Sequence, residues 1–195
     1  MSGERDTVAA VLCGGDSRRM GFAKEMLRAD GAPLAVQMAR RLERGFDRVA
    51  AVTGRPDYLA AWPEVTVIED EYPGDGPLAG VHAGLRALDA ERCLFLPVDM
   101  PFVHNDLLDR LCREARQTDA DVVMGAPGGR YEPMPAVFDR RMLPRLEELL
   151  ESEDGPPIRA ALEGADVRQV ELPERLAPCY RDIDRPEHVE RLKEV

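Results

Sequence analysis

The chain has 195 residues, of which 44% are hydrophobic and 32% are charged, and its formal net charge at pH 7 is −11. Length and composition are typical of one soluble globular domain, so we expect a single domain over residues 1–195. A strongly negative chain is poorly suited to DNA or RNA, whose binding depends on neutralised phosphates, and nucleic acid is therefore not an expected partner.

The first predicted element is a buried apolar strand from Val8 to Leu12, and a glycine pair at residues 14–15 follows it. Glycines allow backbone N–H groups to approach a ligand closely. Three cations come next, at Arg18, Arg19 and Lys24. A strand, a glycine-rich turn and fixed positive charge together favour polyphosphate binding over an ordinary strand-to-helix turn. The loop has neither the Gly-Lys-Ser/Thr ending of a Walker loop nor the Gly-x-Gly of a dinucleotide site.

Strands and helices are then predicted to alternate. The further predicted strands cover residues 48–52, 65–68, 93–98, 121–124, 136–138 and 167–170. The predicted helices cover residues 33–44, 78–88, 105–116, 141–152, 158–163 and 186–193. This alternation predicts an α/β fold with three layers, a mostly parallel Rossmann-like sheet between two layers of helices. The apolar strand 93–98 is expected near the centre, and the proline-limited segment 131–138 is expected at an edge.

Several polar residues directly follow predicted strands, where α/β sheets bind ligands. The glycine-rich loop, Thr53, the loop containing Asp70, and Asp99 are expected to converge there. Asp99 ends a buried strand, and Mg²⁺ usually takes one or two carboxylates together with substrate phosphates. Asp99 is therefore a candidate metal ligand, the alternative being a turn or cap residue before Pro101.

Two features of the predicted helix 78–88 have competing interpretations. Gly80 and Gly84 lie one turn apart, so they clear one helix face either for close packing or for the approach of a nucleotide. His82 lies between them, and a lone histidine without ligand partners is more often structural.

The four cysteines, Cys13, Cys93, Cys112 and Cys179, form no Cys-x-x-Cys pair. This spacing predicts neither a disulfide framework nor a zinc site. The polar start of the chain and the lack of a long apolar run predict no signal peptide and no membrane span. We therefore expect a cytoplasmic protein with reduced thiols and no membrane partner.

The stretch from Leu12 to Lys24 reads Leu-Cys-Gly-Gly-Asp-Ser-Arg-Arg-Met-Gly-Phe-Ala-Lys. It resembles the signature loop of nucleotidyltransferases with a glycosyltransferase-A-like, or nucleotide-diphospho-sugar transferase, fold. Within them it is most similar to the molybdenum cofactor guanylyltransferases. Further segments resemble motifs of that family in the same order, at residues 67–70, 76–80, 94–102, 131–138 and 180–187.

The resemblance implies a GTP site and a magnesium site. The implied GTP-binding residues are Leu12, Cys13, Gly14, Gly15, Ser17, Arg18, Arg19, Lys24, Thr53, Asp70, Pro77, Leu78, Gly80 and Asp99. The implied catalytic residues are Arg19, Lys24 and Asp99. Asp99 is the implied Mg²⁺ ligand, and Asp182 and Asp184 are further candidates at positions where the family usually has asparagine. The carboxylate of Asp70 can accept from N1–H and the exocyclic amine of guanine.

The activity that the resemblance implies is transfer of GMP from Mg·GTP to molybdopterin or molybdenum cofactor, forming the guanine dinucleotide cofactor and pyrophosphate. The expected partners are GTP and the pterin substrate, with transient contact to cofactor-insertion machinery or molybdoenzymes. Two alternatives stay open. One is a related nucleotidyltransferase that uses CTP or another phosphorylated acceptor, and the other is a pterin-binding protein without catalysis.

Overall fold

The computed structural model describes residues 7–13, 27–29, 31–72, 76–152 and 155–183. Within these residues it has nine strands and five α-helices. The strands are β1 (Thr7–Leu12), β2 (Arg28–Ala29), β3 (Ala32–Pro33), β4 (Val49–Thr53), β5 (Thr66–Glu69), β6 (Arg92–Pro97), β7 (Val122–Pro127), β8 (Ala136–Asp139) and β9 (Val167–Leu172). The helices are α1 (Leu34–Leu42), α2 (Gly76–Ala87), α3 (Asn105–Gln117), α4 (Leu143–Ser152) and α5 (Ile158–Leu162).

Seven of the described strands form one sheet in the order β5-β4-β1-β6-β8-β7-β9. β8 is antiparallel to both of its neighbours, and the other neighbouring pairs are parallel. The mostly parallel sheet predicted from the alternating pattern is confirmed. The central position predicted for residues 93–98 is confirmed too, because β6 lies between β1 and β8.

β8 is an interior strand, so the prediction of an edge strand for this segment was wrong. It lies between β6 and β7, and Ala136 is paired with Phe95 on one side and Met124 on the other. Pro133 and Pro135 both precede the first paired residue. Neither proline therefore occupies a ladder position where its missing N–H would cost a hydrogen bond.

The sheet separates two apolar cores. Successive residues of β1 point to opposite sides, as the period of a strand requires: Ala9 and Val11 belong to one core, and Val8, Ala10 and Leu12 belong to the other. Helices α1 and α3 cover the first core, and α2, α4 and α5 cover the second. The three predicted layers are therefore present.

Two glycines let helix α2 lie directly on the sheet. A Cβ atom on Gly84 would be 2.5 Å from Cε1 of Phe95, and one on Gly80 would be 2.9 Å from Cδ2 of Leu12. Real Cβ contacts are longer, so larger residues here would push α2 away from β1 and β6. Close packing accounts for the glycine at position 84, while GTP contact at Gly80 stays a prediction.

Most predicted elements are present with small shifts at their ends. Helix 186–193 lies outside the described residues. The structure adds the hairpin of β2 and β3 and three short 3₁₀ helices, Pro56–Leu59, Arg140–Met142 and Glu174–Tyr180. In the described part of the chain, no helix combines the length and apolar character needed to cross a bilayer.

Candidate functional site

The carboxyl ends of β5, β4, β1 and β6 lie side by side at one edge of the sheet. Backbone hydrogen bonds extend the pairing beyond the strands. They run from N–H of Asp70 to O of Thr53 (3.0 Å), from N–H of Cys13 to O of Val52 (2.8 Å) and from N–H of Val98 to O of Leu12 (3.0 Å). The edge thereby brings together the loops that contain Thr53, Asp70 and Asp99.

The predicted phosphate-binding loop begins at this same edge. Cys13 directly follows β1, which lies between β4 and β6. The residues predicted to hold phosphate, Gly14, Gly15, Ser17, Arg18, Arg19 and Lys24, lie outside the described residues, and so does Asp184. Their roles stay predictions.

Asp99 lies in a turn just beyond β6, and the turn is closed by a hydrogen bond from N–H of Met100 to O of Pro97 at 3.1 Å. The turn alternative therefore describes the backbone of Asp99 correctly. A second segment is fixed to this turn, because N–H of Ile183 donates to O of Asp99 at 2.8 Å. This bond brings the neighbouring Asp182 to the same part of the molecule.

The oxygen donors at this turn fit a magnesium ion shared with a substrate. Asp99 is half-buried and Asp182 is exposed. Mg²⁺ prefers hard oxygen ligands and usually keeps places for water and phosphate beside one or two carboxylates. Among the described residues no group of three or more His, Cys, Asp or Glu could hold a metal. Two carboxylates are the number that Mg²⁺ usually takes beside substrate phosphates.

Arg41 of α1 holds the chain just after Asp99. Its Nη1 donates to O of Pro101 at 3.1 Å, its Nη2 donates to O of Val103, and its Nε donates to Oδ1 of Asn105 at 3.4 Å. Burial lowers the pKa of Arg41, but a guanidinium keeps its charge at physiological pH. Sequence reasoning missed this contact, because an arginine in the last turn of a helix carries no signal of a distant carbonyl partner.

Asp70 is a buried carboxylate with an ordered backbone contact. It is 8% exposed, and its Oδ1 accepts from N–H of Tyr72 at 2.9 Å. Thr53 is also buried, and its Oγ1 accepts from N–H of Arg55 at 3.1 Å. A carboxylate offers about four lone-pair sites, so it can accept from more than one N–H group.

Helix α2 begins at Gly76 and Pro77. Gly76 has φ +74°, a conformation that favours glycine. Pro77 is half-buried, whereas the side chains of Leu78, Leu12 and Cys13 belong to the buried cores. A nucleotide at this edge would therefore meet the last three residues through their main-chain atoms.

The 3₁₀ helix Glu174–Tyr180 leads from β9 back to the Asp99 turn. The hydroxyl of Tyr180 lies against Gly125 of β7, where a Cβ atom would clash with it. This hydroxyl is buried and has no hydrogen-bond partner within the described chain. Burial raises the pKa of Tyr180, with smaller contributions from Cys179 and Glu132, so the phenol stays neutral. Nothing in the sequence pattern indicated this contact.

Comparison with known proteins places this chain in a family. Residues 9–170 match the sequence profile of the MobA-like NTP transferase domain. The chain is 32% identical over 147 residues to a molybdenum cofactor guanylyltransferase of Vibrio atlanticus, with 74% of each chain covered. It is 33% identical over 196 residues to a probable molybdenum cofactor guanylyltransferase of Methanothermobacter thermautotrophicus, covering 94% of this chain and 97% of that protein.

The fold is similar to a crystal structure of molybdopterin-guanine dinucleotide biosynthesis protein A from Archaeoglobus fulgidus. The TM-score is 0.81 at 25% identity, with 96% of this chain and 97% of that chain covered. This likeness confirms the predicted nucleotide-diphospho-sugar transferase fold, and the sequence relatives confirm the resemblance seen in the motifs. The chain therefore belongs to the family of MobA-like NTP transferase domains and is a nucleotidyltransferase.

Proposed function

We propose that this chain transfers GMP from GTP to the terminal phosphate of molybdopterin or molybdenum cofactor. An oxygen of that phosphate attacks the α-phosphorus of GTP and forms a new P–O–P bond. The bond from the α-phosphorus to its bridging oxygen breaks, and pyrophosphate leaves with the electron pair. The acceptor is already a nucleophile, so catalysis requires alignment and charge neutralisation rather than a protein base.

The observation that carries this proposal is the 3.0 Å hydrogen bond between N–H of Val98 and O of Leu12. It joins the chain just before Asp99 to the chain just before the glycine-rich loop. Loop amides with Arg19 and Lys24 would then bind the phosphates close to the Asp99 carboxylate. One triphosphate could be held by both groups at once, as in-line transfer requires.

Magnesium would be held by Asp99, with Asp182 and Asp184 as further candidate ligands. A bound Mg²⁺ would offset the negative charge of the phosphates during transfer. The protein's part is to hold the carboxylates in place: the turn at residues 97–100 and the hydrogen bond from Ile183 fix the backbone of Asp99.

The guanine would lie between the loops that follow β4 and β5, near the start of α2. Asp70 accepts there from base N–H groups, and the backbone near Pro77 borders the ribose. The names of both sequence relatives support guanine as the base and the molybdenum cofactor as the acceptor. We further propose that residues 1–195 act as one cytoplasmic domain that meets insertion machinery or molybdoenzymes transiently.

The test is pyrophosphate release and dinucleotide formation from GTP, Mg²⁺ and molybdenum cofactor. We expect activity that depends on the acceptor, and loss of about 100-fold or more in Asp99→Asn and Lys24→Ala. Asp109→Asn, which changes an exposed carboxylate on α3, is the matched control. Preference for CTP, or wild-type rates in both site variants, would refute the assignment.

A further inference from the structure

His82 of α2 is a polar side chain in an apolar place. It is fully buried, and its Nδ1 has no hydrogen-bond partner within the described chain. Its Nε2 lies 3.5 Å from Oε1 of Glu147 on α4, a distance at the limit of a hydrogen bond. A buried nitrogen without a partner costs stability that an apolar side chain would not cost. The contacts of the ring therefore need an explanation other than core packing.

The ring of His82 meets the loop that contains Asp70. It packs edge-to-face against Tyr72, with ring centroids 5.6 Å apart and an interplanar angle of 76°. Tyr72 in turn donates its backbone N–H to Oδ1 of Asp70. One aromatic contact and one hydrogen bond thus connect the interior of α2 to the carboxylate proposed to bind guanine.

A second contact joins the same helix to the same loop one turn later. Nη1 of Arg86 lies 3.0 Å from Oε2 of Glu71. Both side chains of this ion pair are more than half exposed, so it contributes little. The ring pair is the contact that can fix the loop, because His82 is fully buried and Tyr72 packs against the same core.

We propose that His82 is a positioning residue for base selection, acting through Tyr72 on the carboxylate of Asp70. The ring pair holds the turn at residues 70–72 so that the carboxylate faces both the N1–H and the exocyclic amine of guanine. This inference rests on the proposed function and adds the element that makes Asp70 selective. Loss of the ring pair would leave a carboxylate that still binds a purine nucleotide but no longer senses the exocyclic amine well.

The experiment compares binding of Mg·GTP and Mg·ITP, since inosine lacks only the exocyclic amine of guanosine. We expect the ratio of the two affinities to fall about tenfold in His82→Leu and in Tyr72→Leu, the effect of losing one hydrogen bond to a charged group. Leu150→Val, a buried change on α4 in the same core, controls for lost stability and should keep the wild-type ratio. If both ring variants keep that ratio, the inference is overturned.

A double-mutant cycle separates this role from a general structural role. In an Asp70→Asn background, His82→Leu should change the GTP-to-ITP ratio no further, because its effect passes through the carboxylate. If His82→Leu lowers the GTP-to-ITP ratio as much in that background as in the wild type, the inference is overturned. Should His82→Leu fail to fold, the half-buried Tyr72→Leu gives the same test.

The same variants distinguish the two proposals. If Asp70→Asn keeps the wild-type ratio, the guanine site is wrongly assigned and both proposals fail at this residue. If the GTP-to-ITP affinity ratio falls in Asp70→Asn but keeps its wild-type value in both ring variants, the role proposed for His82 fails and the guanine site stands.

Discussion

The backbone N–H of Ile183 donates a hydrogen bond to the carbonyl oxygen of Asp99 across 2.8 Å. This bond connects a segment late in the chain to the turn that carries the candidate metal ligand. The bond holds the neighbouring Asp182 close to that turn. The role proposed for Asp182 in metal binding can be tested separately from the role proposed for Asp99.

Asp182→Asn is expected to raise the Mg²⁺ concentration needed for half-maximal activity by about tenfold, with little change in rate at saturating Mg²⁺. The asparagine keeps an oxygen ligand and loses the charge that attracts the cation. Titration of pyrophosphate release with Mg²⁺ measures this. An unchanged Mg²⁺ requirement would show that Asp182 lies outside the metal site.

Arg41→Met is expected to lower the free energy of unfolding by about 1–3 kcal/mol, because the carbonyls of Pro101 and Val103 lose their donor. The same change should raise the Mg²⁺ requirement, since the chain after Asp99 loses its anchor on α1. Urea denaturation and the Mg²⁺ titration measure the two effects.

Arg40→Met is the matched control for Arg41→Met. Arg40 is the preceding residue and pairs with Glu64, but both side chains are about half exposed. Exposed ion pairs contribute little, so this variant should behave as wild type in both measurements. Equal effects in the two variants would contradict the specific role of Arg41.

The parts of the fold that depend on local pattern could be predicted from the sequence. The apolar runs gave β1 and β6, and the rule that ligands bind at carboxyl ends of strands indicated the edge that carries Asp70 and Asp99. The interior position of β8 could not be predicted, because prolines at its start have the same sequence pattern as prolines inside an edge strand.

Contacts between distant segments were also beyond the reach of sequence pattern. Arg41 and Val103, or His82 and Tyr72, meet because of how helices pack on the sheet, and no periodicity encodes that meeting. For the signature loop, the sequence makes predictions that the described residues do not include. Spacing and family resemblance predict phosphate-binding roles for Gly15 and Lys24, but both residues lie outside the described part of the chain, so these roles stay predictions.

The stability of the protein is expected to fall as the pH rises above about 9, partly because of Cys112. Burial raises the pKa of this thiol from its ordinary value of 9.0 to about 12. The unfolded chain therefore releases a proton at a lower pH than the folded chain does, and alkaline pH favours unfolding. The free energy of unfolding of Cys112→Val, measured by urea denaturation, should fall less steeply as the pH rises. The same pH dependence as in the wild type would contradict the prediction.

Gly125→Ala is expected to destabilise the protein by about 1–3 kcal/mol through overpacking. Its Cβ would clash with the hydroxyl of Tyr180 and lie 2.7 Å from Cδ1 of Leu172. Tyr180→Phe should be nearly neutral by itself, because the hydroxyl it removes is buried and has no hydrogen-bond partner within the described chain.

The two changes should be coupled when they are combined. Removing the hydroxyl leaves room for the new methyl group against Tyr180, while the contact with Leu172 remains. We therefore expect the double variant to recover about 1 kcal/mol relative to the sum of the single changes, measured by urea denaturation. Simple additivity would contradict the contact. Because the 3₁₀ helix ends at Tyr180, two residues before Asp182, Gly125→Ala should also raise the Mg²⁺ requirement, and Tyr180→Phe should partly restore it.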